Sequence, residues 1–237
     1  MVKSYTAFIF ARGGSKGLPG KNIKIFRGSP LISWSIEHAK RVKRIERIIV
    51  STDSQEIAKV ALASGAEVPF MRPLSLAGDG SSEIDAWKHA LNYLGEAEGT
   101  IPETLVSIPA TSPLRLPIDI DNCINEYESG MYDVVVSLTD STQNPFFNML
   151  VQNENSQYKL AGSSATIYTG RQQAPKVYSI TTVCYVARSE YVLNATSILE
   201  GRIGASHVPA ERAIDIDTQL DFDFADFLAM RKGMDSK

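Results

Sequence analysis

The sequence has little cysteine and no long apolar run. Its 237 residues include two cysteines, Cys123 and Cys184, which lack the Cys/His spacing of a zinc site. Neither a disulfide framework nor structural zinc is therefore expected. No apolar run approaches the length of about 18 residues that spans a membrane, and the one near the N-terminus is too short for a signal peptide. We therefore expect a cytoplasmic protein that does not bind membranes.

An excess of positive charge is also lacking. The chain carries 24 lysines and arginines against 27 aspartates and glutamates, a formal net charge of −3, so nucleic acid is not an expected partner. Cations that bind an anionic ligand must then be gathered locally. What the chain does contain is 43% hydrophobic residues, enough for one large core or for a core with a small appendage.

Apolar runs and helical patterns alternate through the first part of the chain. Runs typical of strands cover residues 5–10, 47–51, 67–70, 104–108 and 134–138, and helical patterns cover residues 31–42, 55–64, 82–94 and 118–128. Strands that are almost entirely apolar and alternate with helices predict a mostly parallel sheet buried on both faces. We therefore predict an α/β fold of three layers, with helices on both faces of the sheet.

The alternation stops after about Asp140. Residues 141–182 contain extended segments and polar turns rather than another strand and helix, which predicts an inserted subdomain. A strand resumes at 183–187, and a C-terminal helix is predicted over 221–230. The main domain is accordingly predicted to comprise residues 1–140 and 183–237.

A glycine-rich stretch with three cations, ARGGSKGLPGKN at 11–22, directly follows the first predicted strand. In an open parallel sheet, ligands bind beyond the carboxyl ends of the strands, where glycine lets backbone N–H groups approach phosphate oxygens. The stretch matches neither the Walker A motif, which requires glycine where Ser15 stands, nor the dinucleotide motif G-x-G-x-x-G. Arg12, Lys16 and Lys21 would neutralise a triphosphate and a departing pyrophosphate, which favours nucleotidyl transfer. The alternative is a glycine turn whose lysines simply face water.

Four further blocks follow the glycine-rich stretch. They are RPLSLAGDGSS at 72–82, PATSPLR at 109–115, RQQAPKVY at 171–178 and AIDIDTQLDF at 213–222. In this order, the five blocks resemble the CMP-sialic acid synthetases, also called N-acylneuraminate cytidylyltransferases, over most of the chain. The resemblance implies a nucleotide-diphospho-sugar transferase-like fold with an inserted dimerisation subdomain, and therefore a homodimer.

The reaction that the resemblance implies couples CTP to a nine-carbon 2-keto acid sugar and gives a CMP-sugar and pyrophosphate, with Mg²⁺ as cofactor. The anomeric hydroxyl of the acidic sugar attacks the α-phosphorus of CTP in line. Nucleotide contacts are implied for Ala11, Arg12, Gly13, Ser15, Lys16, Lys21, Asn22, Arg72, Ser81 and Ser82. Arg12 and Lys21 would be catalytic, stabilising charge on the phosphates. Arg72 and residues 79–82 would read cytosine and ribose; the alternative for Ser81 and Ser82 is to cap a helix.

Asp215 and Asp217 are implied to be catalytic ligands of Mg²⁺. In an extended segment, residues two apart point to the same side, so that both carboxylates can share one hard cation. The alternative is that acidic residues ahead of the C-terminal helix cap it and interact with its dipole. That explanation suits Asp221 and Asp223 better.

The acidic sugar would be bound by residues of two blocks. The resemblance implies sugar contacts for Thr111, Ser112, Arg115, Arg171, Gln172 and Tyr178. Arg171 would meet the substrate carboxylate in a site that the inserted subdomain of the other subunit completes. The alternative is an arginine on the surface.

Two departures from the family pattern lie on the sugar side. Pro109 stands where a glutamine is expected, and Thr181 and Thr182 replace an Asn-Gly pair. A different nonulosonate, such as a legionaminic or pseudaminic acid derivative, is therefore an open alternative. Two others are a Kdo-type cytidylyltransferase and a nucleotide-binding protein without turnover, which would have no need of Asp215 and Asp217.

Overall fold

A computed structural model describes residues 3–78, 80–162 and 168–234. The strands are β1 (Tyr5–Phe10), β2 (Ile25–Phe26), β3 (Ser29–Pro30), β4 (Ile45–Ser51), β5 (Thr104–Ser107), β6 (Val134–Asp140), β7 (Leu150–Gln152), β8 (Tyr158–Leu160), β9 (Tyr178–Arg188) and β10 (Ile203–His207). The helices are α1 (Leu31–Lys40), α2 (Gln55–Ala63), α3 (Glu83–Glu98), α4 (Pro117–Ser129), α5 (Ser189–Asn194) and α6 (Gln219–Arg231). None of the helices in these ranges is both long and apolar enough to cross a membrane.

Six strands form the central sheet, in the order β10–β6–β9–β5–β1–β4. β1 is parallel to β4 and β5, and β10 is parallel to β6, whereas β9 is antiparallel to both of its neighbours. The predicted mostly parallel α/β sheet is confirmed. Two short antiparallel pairs, β2–β3 and β7–β8, lie outside this sheet.

Helices cover both faces of the sheet because successive side chains of a strand point to opposite sides. From β1, Ala7 and Ile9 pack in one apolar cluster with residues of α1, α2 and α4. Phe8, between them, packs in a second cluster with Trp87 of α3 and Val192 of α5. The predicted three layers are therefore present.

A third apolar cluster fastens the glycine-rich stretch to the C-terminal part of the chain. Leu18 of the stretch packs with Phe26, with Ile216 ahead of α6 and with Ala225 within it. Segments about 200 residues apart in the sequence are thus held together beside the same edge of the sheet.

Helix α6 begins with a capping box, in which two side chains satisfy backbone N–H groups reciprocally. The Thr218 side chain accepts from the N–H of Asp221, and the Asp221 carboxylate accepts from the N–H of Thr218 at 2.7 Å. The capping explanation given for Asp221 is confirmed. The box also fixes where the segment that carries Asp215 and Asp217 enters the helix.

One strand prediction was wrong, and one strand was not predicted. Residues 67–70 form no strand: Glu67 meets Ile49 of β4 in an isolated bridge, and the next bridge joins Met71 to Thr52, beyond the end of β4. β10 was not predicted, and His207 is its last residue. Its sequence IGASH lacks an apolar run because β10 is an edge strand that buries only Gly204 and Ser206.

The predicted insertion, 141–182, ends within a strand of the main sheet. β9 begins at Tyr178, and its first residues already pair with β6, with Tyr178 opposite Asp140 and Ile180 opposite Leu138. Earlier in the segment, β7 and β8 form a two-stranded ribbon whose six residues are all exposed.

Candidate active site

A cleft of about 480 Å³ opens at the carboxyl ends of β1 and β5. The predicted nucleotide contacts that line it are Arg12, Ser15, Lys16, Lys21, Asn22, Arg72, Ser81 and Ser82. Thr111 and Asp217, predicted for the sugar and the metal, line it as well. Asp79, which belongs to the predicted 79–82 segment, lies outside the described residues. The cleft is where ligands bind in open α/β sheets.

Backbone hydrogen bonds and close packing shape the glycine-rich stretch. Ala11 is buried and donates its N–H to the carbonyl oxygen of Ser51 at 3.0 Å, which continues the β1–β4 pairing. A Cβ at Gly17 would collide with the carbonyl oxygen of Asp217, so glycine there lets the stretch lie against the acidic segment. Gly20 has a φ of +66° and precedes a single 3-10 turn, Lys21–Ile23, a conformation that favours glycine.

Lys21 and Asn22 hold the stretch to its surroundings. The Lys21 Nζ donates to Oδ1 of Asp217 at 2.6 Å and to the carbonyl oxygen of Ile216 at 3.0 Å. Asn22 is buried, and its Nδ2 donates to the carbonyl oxygen of Arg12 at 2.9 Å. Lys21 therefore contributes a charge at the cleft wall, whereas Asn22 shapes the turn that carries Arg12.

Arg72 lies against the carboxyl end of β4 with 7% of its surface exposed. Its Nε donates to Oγ of Ser51 at 3.1 Å, and its Nη2 donates to the carbonyl oxygen of the same residue at 2.5 Å. The guanidinium also lies 5.8 Å from the centre of the Phe10 ring. Burial lowers the pKa of Arg72, and the nearby charge of Arg12 lowers it further. A buried cation at this edge favours an anionic or electron-rich ligand.

Ser81 and Ser82 line the cleft just before α3. Ser82 is the N-cap residue of the helix, yet its side chain makes no capping hydrogen bond, and Oγ of Ser81 donates to the carbonyl oxygen of Ser75 at 3.1 Å. Helix capping therefore does not account for either hydroxyl, and both stay at the cleft wall.

The two aspartates differ in their surroundings. Asp217 keeps 68% of its side-chain surface exposed beside Lys21, whereas Asp215 is half-buried. Among the described residues, Oδ1 of Asp215 is buried without a hydrogen-bond partner. Burial raises the pKa of Asp215; hydrogen bonds from Thr111 and Thr182 oppose that rise, and the charge of Asp217 adds to it. Two carboxylates with an unsatisfied buried oxygen form a site in which a cation would be stabilised.

Ser112 and Arg115, which were predicted to contact the sugar, are both completely buried in the described structure. The Arg115 guanidinium donates to Oγ of Ser35 at 3.0 Å, to the carbonyl oxygen of Thr182 at 3.1 Å and to that of Pro109. Its contacts are therefore with the backbone beneath the cleft, and burial lowers its pKa to about 10. Arg115 remains charged at neutral pH and supports the cleft floor.

Three hydroxyls form a small group beside Arg115. Oγ1 of Thr182 lies 2.7 Å from Oγ of Ser112 and 3.4 Å from Oγ1 of Thr111. Thr182 was identified above as a departure from the family pattern. Of its two hydroxyl partners, Thr111 lines the cleft and Ser112 does not.

The predicted sugar contacts from the insertion lie elsewhere. Arg171, Gln172 and Tyr178 are exposed and are not brought to the cleft of their own chain. Lys176 lies 4.8 Å from the centre of the Tyr178 ring. The cleft as formed by one chain is accordingly built from the ends of the sheet strands, the glycine-rich stretch, the segment from Arg72 into α3 and the segment before α6.

The sequence interpretation did not single out several residues at the cleft. Among them, Phe10, Glu83 and Thr218 line it, and Asp53 accepts a hydrogen bond from the glycine-rich stretch. Burial raises the pKa of Glu83, the first residue of α3. Of these residues, only Asp53 could have been found from the sequence, because the polar run at 51–54 stands at the end of a predicted strand, as the glycine-rich stretch does.

The cleft joins cations to carboxylates in a small volume. Arg12, Lys16, Lys21 and Arg72 supply four positive groups, with the Asp215–Asp217 segment beside Lys21. Such an arrangement binds a polyphosphate and stabilises charge that moves between its oxygens. The fold and the cleft together define a nucleotide-binding α/β transferase.

Comparisons with known proteins narrow this class. The cytidylyltransferase family matches residues 6–202. The CMP-N,N'-diacetyllegionaminic acid synthase of Campylobacter jejuni is 35% identical over 229 residues, which cover 97% of this chain and 96% of that protein. The post-translational flagellin modification protein B of Campylobacter coli is 33% identical, with the same coverage. The chain therefore belongs to the cytidylyltransferase family and is a nucleotidyltransferase.

A solved structure has the same fold. A CMP:2-keto-3-deoxy-manno-octonic acid synthetase, complexed with CTP, superposes with a TM-score of 0.72 over 97% of this chain and 99% of that chain, at 18% sequence identity. At this identity, the likeness concerns the fold alone.

Proposed function

We propose that the enzyme couples CTP to a nine-carbon 2-keto acid sugar and releases a CMP-sugar and pyrophosphate. The observation that carries the proposal is the gathering of Arg12, Lys16, Lys21 and Arg72 around one cleft, with a carboxylate pair at its edge. The glycine-rich stretch would hold the triphosphate, because its glycines allow close approach of the backbone. The reaction would take place in the cytoplasm, where CTP is available.

In the proposed reaction, the anomeric oxygen of the sugar bonds to the α-phosphorus of CTP as the bond from that phosphorus to the bridging oxygen breaks. The hydroxyl proton leaves to solvent or to a basic group, and the electron pair departs with pyrophosphate. Arg12 and Lys21 stabilise the negative charge that grows on the phosphate oxygens. Arg72, buried near Phe10, reads the base and ribose end of the nucleotide together with Ser81 and Ser82.

The carboxylate pair fits Mg²⁺. Mg²⁺ is commonly held by one or two carboxylates together with substrate phosphates. Asp215 and Asp217 provide such a pair, and the unpartnered Oδ1 of Asp215 is an oxygen that a cation would satisfy. Among the described residues no group of three or more His, Cys, Asp or Glu could hold a metal, which is why phosphate oxygens would complete the coordination. When bound, Mg²⁺ would neutralise charge on those phosphate oxygens.

The part of the cleft next to Thr111 suits a nonulosonate as the sugar substrate. Experiment decides which nonulosonate it is. Thr111 at the cleft edge and its neighbour Thr182 offer hydroxyls to a polyhydroxylated ligand. Pro109, which also lines the cleft, offers no side-chain donor. We propose a legionaminic-type acceptor ahead of N-acetylneuraminate, because one similar protein is a CMP-N,N'-diacetyllegionaminic acid synthase.

We further propose that the protein is a homodimer formed through the β7–β8 ribbon. Leu150 pairs with Leu160, and Tyr158 lies on the same face of the ribbon; all three are exposed. An isolated two-stranded ribbon is marginally stable in water, and a second copy of the ribbon would cover this apolar face. Arg171 and Gln172, exposed in the same insertion, would then be free to reach the sugar of the partner subunit.

The deciding experiment measures pyrophosphate release from CTP and Mg²⁺ with four acceptors in parallel. They are N,N'-diacetyllegionaminate, pseudaminate, N-acetylneuraminate and Kdo. We expect the fastest release with the legionaminate. Fastest release with Kdo would exclude the nine-carbon acceptor, and no release with any of the four would exclude the proposed reaction.

A further inference from the structure

Asp53 lies two residues beyond the end of β4 and is not among the residues that line the cleft. Its Oδ1 accepts a hydrogen bond from the backbone N–H of Gly13 at 2.9 Å. The contact joins residues 40 positions apart and meets the glycine-rich stretch one residue after Arg12. The carboxylate of Asp53 is therefore placed to fix how the stretch leaves β1.

The fit between Gly13 and the end of β4 is close. A Cβ at Gly13 would lie 3.1 Å from Cβ of Ser54 and 3.6 Å from Oδ2 of Asp53. The first of these distances is too short for ordinary packing, so the backbone must lie directly against Asp53 and Ser54 here. Glycine at this position permits the approach, and the Asp53 oxygen gives the approaching N–H its acceptor.

The same end of β4 also holds Arg72. The N–H of Arg72 donates to the carbonyl oxygen of Thr52 at 2.8 Å, and its side chain donates twice to Ser51. The negative charge of Asp53 favours the charged form of Arg72, while that of Arg12 opposes it. Residues 51–53 thus hold both the stretch that would bind the triphosphate and the arginine that would read the nucleoside.

We propose that Asp53 is a positioning residue that holds the glycine-rich stretch in its nucleotide-binding conformation through the N–H of Gly13. For this role, Asp53 needs only an oxygen that accepts the hydrogen bond. The proposal rests on the proposed function only in taking CTP as the nucleotide. Asp53 does not line the cleft and takes no part in the chemistry.

The test compares Asp53→Ala and Asp53→Asn, because asparagine keeps an acceptor oxygen and loses the charge. In the nucleotide-free protein, hydrogen exchange of the peptide that covers residues 11–22 should be about 10-fold faster in Asp53→Ala, as loss of about 1.4 kcal/mol of local stability implies. CTP affinity should fall by a similar factor and the KM for CTP should rise, while the KM for the sugar stays unchanged. Asp53→Asn should restore most of the exchange protection and of the CTP affinity.

Ser54→Ala is the matched control. Ser54 caps α2 by accepting from the N–H of Ile57, so its loss should lower Tm without changing exchange at 11–22. Wild-type exchange and CTP affinity in Asp53→Ala would overturn the proposal, and so would an Asp53→Asn variant as impaired as Asp53→Ala. If the unsubstituted enzyme releases no pyrophosphate with any acceptor, the proposed function fails, while the exchange measurement still decides the role of Asp53.

Discussion

The Nζ of Lys21 lies 2.6 Å from Oδ1 of Asp217. This ion pair joins the glycine-rich stretch to the segment before α6, across 196 positions of sequence. The side chain of Lys21 is largely covered, with 14% of its surface exposed, whereas that of Asp217 is 68% exposed. An exposed carboxylate can exchange its lysine for a cation or for phosphate-bound metal at little cost. The pair therefore places a lysine and a prospective metal ligand at one point of the cleft wall.

Lys21→Met should reduce turnover more than CTP affinity. In the proposed reaction, the ammonium group stabilises phosphate oxygens whose charge grows in the transition state, so its loss should lower kcat by about 100-fold and CTP affinity by much less. Pyrophosphate-release kinetics and calorimetric titration with CTP measure the two quantities. Lys24→Met is the control, since Lys24 lies 5.1 Å from the Phe222 ring rather than in the cleft. Equal losses in kcat and affinity would mean that Lys21 only binds substrate.

Replacing both Asp215 and Asp217 with alanine should abolish pyrophosphate release. In buffer without Mg²⁺, CTP affinity should stay close to that of the unsubstituted protein, because two carboxylates near a triphosphate repel it and Lys21 is released to contact phosphate. Asp223→Ala serves as control, because Asp223 is exposed within α6 and accepts from Gln219. Turnover that survives the double substitution would refute the metal assignment.

Arg115→Met should destabilise the fold. The substitution removes the Arg115 donor from the Thr182 carbonyl oxygen and from the Pro109 carbonyl oxygen, which then keeps the hydroxyl of Ser35 as its donor; unsatisfied buried groups cost about 1–3 kcal/mol each. We expect the free energy of unfolding in urea to fall by about 3 kcal/mol. Arg41→Met, at an exposed arginine after α1, should change it by less than about 0.5 kcal/mol. A comparable small effect at Arg115 would contradict the supporting role inferred for its guanidinium.

Leu150→Asp combined with Leu160→Asp should convert the proposed dimer into a monomer. The two leucines face each other across the ribbon, and two carboxylates there would repel both one another and a partner ribbon. Light scattering after size exclusion should report the monomer mass of 26.0 kDa for the variant and twice that mass for the original protein. Lys159→Asp, which lies on the opposite face of the ribbon, should remain dimeric. A monomeric original protein would exclude the dimer.

Asp133→Asn should reduce stability at neutral pH and leave it unchanged in acid. Asp133 accepts from the N–H of Arg202 at 2.8 Å and pairs with the side chains of Arg188 and Arg202. The hydrogen bonds from Arg202 lower its pKa. A carboxylate whose pKa is lower in the folded state stabilises above its unfolded pKa of about 3.9, and the stabilisation is lost as the pH falls through the folded value. Denaturant unfolding at pH 7 should show a loss of about 1–3 kcal/mol, which shrinks as the pH falls below about 3.9; a loss independent of pH would contradict this.

The sheet and the glycine-rich stretch could be predicted because their signals are local. A buried parallel strand such as β1 is a continuous apolar run, and glycine next to lysine at its end has few structural explanations. β10 escaped prediction because an edge strand needs apolar residues at alternate positions only, and Gly204 and Ser206 supply little signal. The antiparallel direction of β9 also has no local signal, since VCYVA reads the same in either direction of pairing.

The family blocks predicted many of the residues that line the cleft, whereas the residues whose position depends on packing were missed. Arg115 stands in a block that ends at the cleft, yet its side chain is directed beneath the floor. Burial of this charged side chain depends on two acceptors that are distant in sequence, Ser35 and Thr182, and the sequence does not show that they lie beside it. Glu83 looked like an ordinary first-turn residue of a helix, and only the packing of α3 against the sheet brings it to the cleft.

The ribbon insertion leaves and re-enters the sheet at one hydrogen-bonded pair, Asp140 opposite Tyr178. The sheet therefore fixes both ends of the intervening chain, and lengthening that chain adds little further closure entropy, about 0.6 kcal/mol for each doubling. The insertion can change in length and sequence while the register of β6 and β9, and with it the position of Thr182, stays the same. For protein engineering, this makes the segment a site at which another loop or module could be exchanged without rebuilding the catalytic half of the molecule.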